Sequence, residues 1–188
     1  MQPSQSVAGQ SLYQRLLGNH YEVLPATIRA LHGHCENVTY AGRGSVERGN
    51  HWLARVIGAM MRFPPAIADT SVSVHFEIRD GTETWIRQFG THRFQSCLSA
   101  RNPILHESFA WIGIDFKLDV DSTGLRMIPT RWAVFGIALP KIFWPTIIGQ
   151  ETEVDGRFQF LVEAIMPLAG LVVRYREFLE RKHATPSS

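Results

Sequence analysis

Beyond residue 70 the sequence alternates apolar and polar side chains, and this two-residue period is the feature that most constrains the fold. Residues 72–78 carry valine, phenylalanine or isoleucine at every even position, and residues 112–120 repeat the pattern over a longer run. A period of two places the apolar residues on one face of a β-strand. Asp80-Gly81 and the segment 121–124 supply turn residues between such runs. The pattern therefore predicts consecutive antiparallel strands with one apolar face.

The strand-like segments are numerous enough to form a closed or strongly curved sheet. Gly42 and Gly44 in the first segment indicate a bulge or a close backbone approach. A large sheet with one apolar face closes or curls to protect its edges. We predict an α+β, mainly β fold, in which N-terminal helices precede an antiparallel meander of about 8–9 strands closing into a barrel or half-barrel. The predicted strands are 38–48, 72–78, 84–89, 93–100, 104–109, 112–120, 125–135, 158–164 and 171–179.

Helical patterns are confined to the first third of the chain. Ser11 is a suitable N-cap for a short helix that ends at Gly18, and Pro25 begins a second helix that ends at Gly33. Asn50 offers an N-cap for a third helix, which Phe63-Pro64-Pro65 stops. In the second half of the chain we expect residues 137–149, which are apolar and contain prolines, to form a connection over the barrel mouth.

Length, composition and charge indicate one globular domain and exclude several classes of partner. The 188 residues are 45% hydrophobic, which predicts a single domain over 1–188, with 1–10 and 181–188 as disordered tails. A formal charge of +2 gives no strong field for nucleic acid or for anionic membrane surfaces. The most apolar stretch of the chain, residues 137–149, is too short to cross a bilayer. The N-terminus does not resemble a secretory signal, so we expect a cytoplasmic location.

The sequence contains none of the short motifs that identify common cofactor or catalytic sites. It has no phosphate-binding loop, no GxSxG, no HExxH and no CxxC pair. His32, His34 and Cys35 lie close together at a predicted helix end, where histidines commonly interact with terminal carbonyls. We therefore predict no metal and no cofactor. Cys35 and Cys97 are predicted to be free thiols.

The main candidates for a binding site are charged residues at strand positions where the two-residue alternation predicts an apolar side chain. Arg87 lies between Trp85 and Phe89, Arg131 shares the phase of the apolar residues in segment 125–135, and Glu177 follows Tyr175 in phase. If these phases face inward, the buried charges must be paired or serve a ligand, because isolated burial is costly. Ion pairs of Glu177 with Arg131 or Arg87 are the structural alternative, and structural pairs are common at such positions.

The glycine-rich segment 42–49 is a second candidate. Its glycines would let a ligand approach the backbone, and its two arginines, Arg43 and Arg48, would bind a carboxylate. A bulged strand with solvated Glu47 and Arg48 is the simpler interpretation.

The order and spacing of several short segments resemble the bacterial family known as domain of unknown function 4166. The resemblance covers Leu12 to Leu179 and implies possible work beside an oxidoreductase, because members are also fused to saccharopine-dehydrogenase-like domains. It brings no catalytic residues. Where a small residue followed by an aromatic is expected after the Arg-Tyr-Arg motif, this chain has Glu177-Phe178, so Glu177 is particular to this member. The segments are LYQRLLG from Leu12, Leu24-Pro25, Arg29-Ala30-Leu31-His32, Gly42-Arg43-Gly44 through Glu47-Arg48-Gly49, Phe63-Pro64-Pro65 and Val173-Arg174-Tyr175-Arg176.

Three functions remain open. The first is a binding module, in which the curved sheet holds an apolar or amphipathic small molecule between aromatics such as Trp85 and Trp132. The second is an isomerase or cyclase that moves a proton with a carboxylate such as Glu77 or Glu177. The third is a docking domain that uses segment 137–149 as a partner surface. A cavity of roughly 300 Å³ or more distinguishes the first two from the third.

Overall fold

Ten antiparallel strands close into a barrel in the computed structural model, which describes residues 9–182. The strands are β1 (Val38–Arg48), β2 (Ile67–Arg79), β3 (Thr82–Phe89), β4 (His92–Arg101), β5 (Ile104–Phe109), β6 (Ile112–Asp121), β7 (Gly124–Val134), β8 (Ile137–Ala138), β9 (Thr146–Val154), β10 (Arg157–Met166) and β11 (Gly170–Arg181). Strands β1 to β7 pair in sequence order, β7 continues to β9, and β11 returns to pair with β1. The short β8 lies outside the ring and pairs with β7. The predicted mainly β fold with N-terminal helices is confirmed.

One barrel strand, β9, begins inside the segment that we expected to be a connection. Its inward positions are Ile147, Gly149 and Glu151, whereas Ile148 points outward and is exposed. Apolar and polar residues therefore do not alternate along β9. Because of this, the two-residue period did not predict the strand. The rest of the expected connection forms β8 and a 3₁₀ turn at Lys141–Phe143.

A bulge in β7 reverses the direction of its side chains. The register with β6 shifts between Asp115 and Phe116, so that Asp115 pairs with Arg131 but Phe116 pairs with Pro129. Met127 is buried before the bulge and Trp132 is buried after it. An extra residue on one strand of an antiparallel pair breaks the alternation at that point. Our prediction that Arg131 faces inward is therefore wrong.

Helices α1 (Leu12–Leu17) and α2 (Ala26–His32), joined by a 3₁₀ helix at Gly18–Val23, cover one end of the barrel. Ser11 caps α1 as predicted, because its hydroxyl accepts a hydrogen bond from the backbone of Gln14 at 3.2 Å. Thr27 at the start of α2 donates to Glu153 of β9 at 2.9 Å. We call this the closed end; its strand connections are residues 80–81, 102–103, 122–123 and 155–156.

The opposite end carries helix α3 (Trp52–Met60), which connects β1 to β2. Its N-cap is His51 rather than the predicted Asn50. Arg48 holds α3 in place by donating to the carbonyls of Phe63 at 3.2 Å and Pro64 at 3.1 Å, so our expectation of a solvated Arg48 is wrong. We call this the open end; its connections are residues 49–66, 90–91, 110–111, 135–145 and 167–169.

The predicted tails lie mostly outside the described residues. Residues 1–8 and 183–188 are not part of the description. Arg181 still belongs to β11, and the backbone of Lys182 donates to Thr39 at 3.0 Å. The expectation of disorder is therefore wrong at these two positions.

Candidate functional site

A cavity of about 230 Å³ lies inside the open half of the barrel. Met60 of α3 and Phe143 of the 3₁₀ turn line it and are each more than half exposed, so the cavity reaches the surface between these two elements. The volume is below the roughly 300 Å³ that we set as the criterion for a ligand-binding or catalytic cavity, so size alone does not separate these functions from docking. Apolar side chains supply most of the wall: Ile57, Met61, Phe63, Phe94, Phe109, Trp111, Ile112, Ile114, Trp132, Val134, Leu139, Pro145, Ile147, Val162, Ala164, Met166, Val172 and Val173.

A second, smaller cavity of about 60 Å³ continues deeper into the barrel. Six residues line both spaces and form a neck between them: the apolar Ile114, Ile147 and Val162, and the polar Arg87, Glu107 and Tyr175. We call the three polar residues the polar neck. The walls beyond the neck include Trp85 and Phe160. A molecule that fills the outer cavity would meet its first charged groups at this neck.

Arg87 is held rigidly at the neck. Its Nη1 donates to the Ser96 hydroxyl at 3.0 Å, and its guanidinium lies over the Trp85 ring at 4.7 Å from the ring centre. Burial alone would lower the pKa of Arg87, but Tyr175 and Glu107 are among the groups whose charges outweigh burial and raise it. The Arg87 side chain is therefore a fixed positive charge in an apolar barrel.

Glu177 is buried beside the neck but is not among the described residues that line either cavity. Both of its carboxyl oxygens lack a hydrogen-bond partner in the described structure, so the ion pairs that we proposed for Glu177 are wrong. Burial raises the pKa of Glu177 to about 7, although the charge of Arg87 opposes the rise. Glu177 therefore carries a proton over most of the acidic range.

The predicted binding residues fall into two groups. Arg87, Trp85, Trp132 and Tyr175 all face the interior, and the first and last meet at the neck. The remaining predicted residues lie on the outside.

Arg43 and Arg131 make surface contacts instead of binding inside the barrel. Arg43 donates to Asp69 at 2.9 Å, and Arg131 lies 3.6 Å from Asp115. Glu77 follows the inward-facing Phe76 on β2 and is not among the described residues that line the cavity. The structure therefore does not bring Arg43, Arg131 or Glu77 to the neck.

Glu107 is the neck residue that sequence reasoning missed. His106, its neighbour on β5, points to the opposite face and contacts Asp115 at 2.6 Å. Glu107 is in phase with the buried Leu105, which is the same signal that identified Arg87. Applying that signal to every strand would have found Glu107.

A second polar cluster lies at the closed end and was also missed. His32 Nε2 of α2 is hydrogen-bonded to Glu151 Oε2 of β9 at 2.6 Å, and both side chains are almost completely buried. Tyr13 stacks on the His32 ring at 3.6 Å. Trp85 donates to Glu83 at 2.9 Å, and burial raises the pKa of Glu83. The contacts within this cluster join the helices to the barrel.

The histidines near the end of α2 are engaged with protein groups. His34 contacts the Tyr40 hydroxyl at 2.9 Å, while His32 bonds Glu151. Within residues 9–182 no three His, Cys, Asp or Glu side chains are placed to hold a metal ion together. In the same part of the chain, none of the helices has the length and apolar character needed to cross a membrane.

Comparison with known proteins supplies a family but no assigned activity. The family model described as Domain of unknown function (DUF4166) matches residues 24–177. No curated protein matches the chain. A similar solved structure is described as Crystal Structure of Rv2717c from M. tuberculosis. It is 13% identical with a TM-score of 0.44, and the match covers 85% of this chain and 99% of that chain.

Proposed function

The chain belongs to the family of unknown function DUF4166, whose matched region contains the whole polar neck, and we propose that its barrel binds a small amphipathic molecule. The apolar body of the ligand would fill the cavity of about 230 Å³, and its polar end would reach Arg87. The observation that carries this proposal is the combination of an apolar cavity with a buried, fixed arginine at its inner end.

The size and walls of the cavity favour a compact apolar ligand. Ligand sites are mostly apolar with a few polar groups that fix orientation. Because the volume is below that of a typical drug-sized site, we expect a small ligand, or a longer one whose remaining length extends between Met60 and Phe143.

The neck favours an uncharged end group that accepts a hydrogen bond. Arg87 Nε is buried without a hydrogen-bond partner among the described residues, so a donor is available. Glu107 at the same neck would repel a carboxylate. A hydroxyl or carbonyl group therefore suits the neck better than an anion.

A proton-transfer enzyme is the second candidate, and the position of Glu107 favours it. Glu107 lines the cavity, whereas our earlier candidates Glu77 and Glu177 do not. A general base must lie within hydrogen-bond reach of the bound substrate. The test is to incubate the protein with a cell extract and to identify the small molecule that it retains by native mass spectrometry. If that molecule is recovered unchanged after long incubation with the protein, this second candidate is contradicted.

Titration with N-phenyl-1-naphthylamine, an uncharged fluorescent aromatic amine, tests the cavity. We expect saturable binding with enhanced fluorescence by the wild-type protein. Ala164→Phe would fill the cavity and abolish saturable binding, whereas Ala30→Phe, on the exposed side of α2, would bind as the wild type does. Equal binding by both variants would overturn the proposal.

Competition with 1-octanol tests the role of Arg87. Arg87→Met would weaken octanol binding by about tenfold, since a hydrogen bond from a charged group is lost. Binding of the naphthylamine, which does not need that acceptor contact, should change by less than about twofold. Equal loss for both molecules would show that Arg87 does not orient the ligand.

A further inference from the structure

We infer that the open end of the barrel docks on an anionic lipid bilayer and presents the cavity mouth to it. Docking would give the ligand of the proposed binding function a route into the cavity. Only this part of the inference rests on the proposed function. The surface itself is defined by exposed apolar side chains, by local charge and by its position around the mouth.

Exposed apolar side chains are concentrated at the open end. Among the described residues, every large apolar side chain that is more than half exposed belongs to this end. The large apolar residues exposed elsewhere, such as Val23 at 47%, are all less exposed than this. Contiguous exposed apolar surface marks a site of interaction. The main members of this apolar rim are Trp52 at 68%, Met60 at 57%, Phe135 at 76%, Ile142 at 76%, Phe143 at 58% and Leu168 at 94% exposed.

Helix α3 contributes an apolar stripe that faces solvent. Trp52, Val56 and Met60 are spaced four residues apart and are all exposed, whereas Ala54 and Gly58 on the other side are buried. An outward apolar stripe on a surface helix beside basic residues is typical of a helix lying in a membrane interface. Trp52 is also of a residue type enriched at such interfaces.

The charged residues in the open-end connections are all basic. Glu47 and Asp69 lie near these connections, in β1 and β2, and each pairs with an arginine, Arg174 and Arg43 respectively. The connections themselves contain Arg55, Arg62 and Lys141, each exposed, and no aspartate or glutamate. The closed-end connections, by contrast, include Asp80 and Asp155. Each basic residue near an anionic bilayer strengthens binding by about fivefold. The nearly neutral charge of the whole chain therefore conceals a basic patch at the cavity mouth.

A bilayer fits this surface better than a protein partner because of the cavity. Met60 and Phe143 belong both to the exposed rim and to the cavity wall. With the rim in the interface, an apolar molecule would pass from lipid into the barrel without crossing water. Transfer of apolar surface through water is the costly step that this arrangement avoids.

Flotation with lipid vesicles tests the docking. We expect the wild-type protein to float with vesicles of phosphatidylcholine mixed with phosphatidylglycerol, to bind vesicles of phosphatidylcholine alone more weakly, and to lose binding as salt is raised. Absence of binding to the mixed vesicles, or equal binding to both kinds, would overturn the inference.

Two double variants separate the apolar and basic contributions. Trp52→Ser with Ile142→Ser and, separately, Arg55→Glu with Lys141→Glu should each lower partitioning onto the mixed vesicles by about tenfold or more. The matched controls Val23→Ser and Arg79→Glu, at the closed end, should bind as the wild type does. Wild-type partitioning by both double variants would contradict the docking surface.

Failure of docking and failure of ligand binding give different results. The variants of Trp52 and Ile142 lie outside the cavity wall and should bind the naphthylamine normally, while Ala164→Phe should still float with mixed vesicles. Naphthylamine binding without vesicle binding would overturn the docking alone. Analytical ultracentrifugation showing a dimer that Trp52→Ser dissociates would assign the rim to a second copy of the chain and also overturn it.

Discussion

The two ends of the barrel differ in what fills the space between the same strands. At the closed end, the rings of Tyr13 and His32 stack within 3.6 Å, and His32 bonds Glu151 of the barrel wall. At the open end, α3 lies beside the mouth and a cavity of about 230 Å³ remains. The strands alone therefore do not decide whether the interior is packed; the helices supplied by the rest of the chain do.

The ends also treat charge differently. The closed end buries polar groups that join the helices to the strands, so each contact there affects stability. Apart from Arg48, which anchors α3, the open end keeps its cations in solvent and leaves its rim residues exposed, so these exposed residues contribute little to stability. We expect substitutions in the buried closed-end cluster to act on folding and substitutions of the exposed open-end residues to act on binding.

The largest effect is expected from His32→Leu. This change would leave Glu151 buried without its partner, at a cost of about 3–5 kcal/mol in the free energy of unfolding. Urea denaturation followed by circular dichroism at neutral pH measures the loss.

The double variant His32→Leu with Glu151→Met is the control for that prediction. It replaces both polar partners by apolar groups, which often restores the stability lost when one partner is removed. If the double variant is as unstable as His32→Leu, the loss comes from packing against Tyr13 and not from an unpaired carboxylate.

Glu177→Gln is expected to change how stability depends on pH. The pKa of Glu177 is raised from 4.5 to about 7 in the folded protein, so between these values the folded state binds more protons than the unfolded state. The free energy of unfolding of the wild type should fall by about 3 kcal/mol as pH rises through this window and then level off. The glutamine variant, which has no proton to lose, should lack this fall.

Urea denaturation at about pH 5 and about pH 8 compares the two proteins. Glu180→Gln is the matched control, because Glu180 lies on the same strand but is exposed. The control should keep the slope of the wild type. A wild-type slope in Glu177→Gln would mean that the folded protein already holds Glu177 ionised below neutral pH.

The fold was largely predictable from the sequence, while the lining of the barrel was only partly so. The alternation at 72–78 and 112–120 predicted both strands correctly, because each strand has one face in the core. The same rule correctly predicted that Arg87 faces the interior. It failed for Arg131, because the bulge near Thr130 reverses which side chains of β7 face inward. The bulge itself contains no glycine, and the local signal of it is the neighbouring Pro129, a residue type that strands carry mainly at edges and bulges.

Residues that act across long sequence separations were not predictable. His32 and Glu151 are 119 positions apart, and nothing in the local pattern of either one names the other. Glu151 is inward on a strand whose inward positions also include Gly149, so its strand was not recognised. Local periodicity reports the direction of a side chain but not its partner.

A smaller effect is expected from Gly58→Ala, which probes how α3 is fixed beside the mouth. The added Cβ would lie 1.5 Å from the Arg48 guanidinium, which anchors the segment after α3. Alanine ordinarily favours a helix over glycine by about 1 kcal/mol, yet here we expect a net destabilisation of about 1–3 kcal/mol. Thermal unfolding measures it, and Ala59→Gly, on the exposed side, gives the size of the ordinary helix preference. Stabilisation by Gly58→Ala would show that Arg48 moves away at little cost.

The smallest effect on stability is expected at the rim, from Trp52→Ser with Ile142→Ser. Both side chains are mostly exposed, so removing them should change the free energy of unfolding by less than about 0.5 kcal/mol per substitution. Leu31→Ser at the closed end, where the side chain is 2% exposed, should cost more than about 2 kcal/mol. Urea denaturation of the three proteins compares the two ends directly. If the rim variant were as unstable as Leu31→Ser, its apolar residues would belong to the packing of the barrel, and any loss of vesicle binding would follow from unfolding.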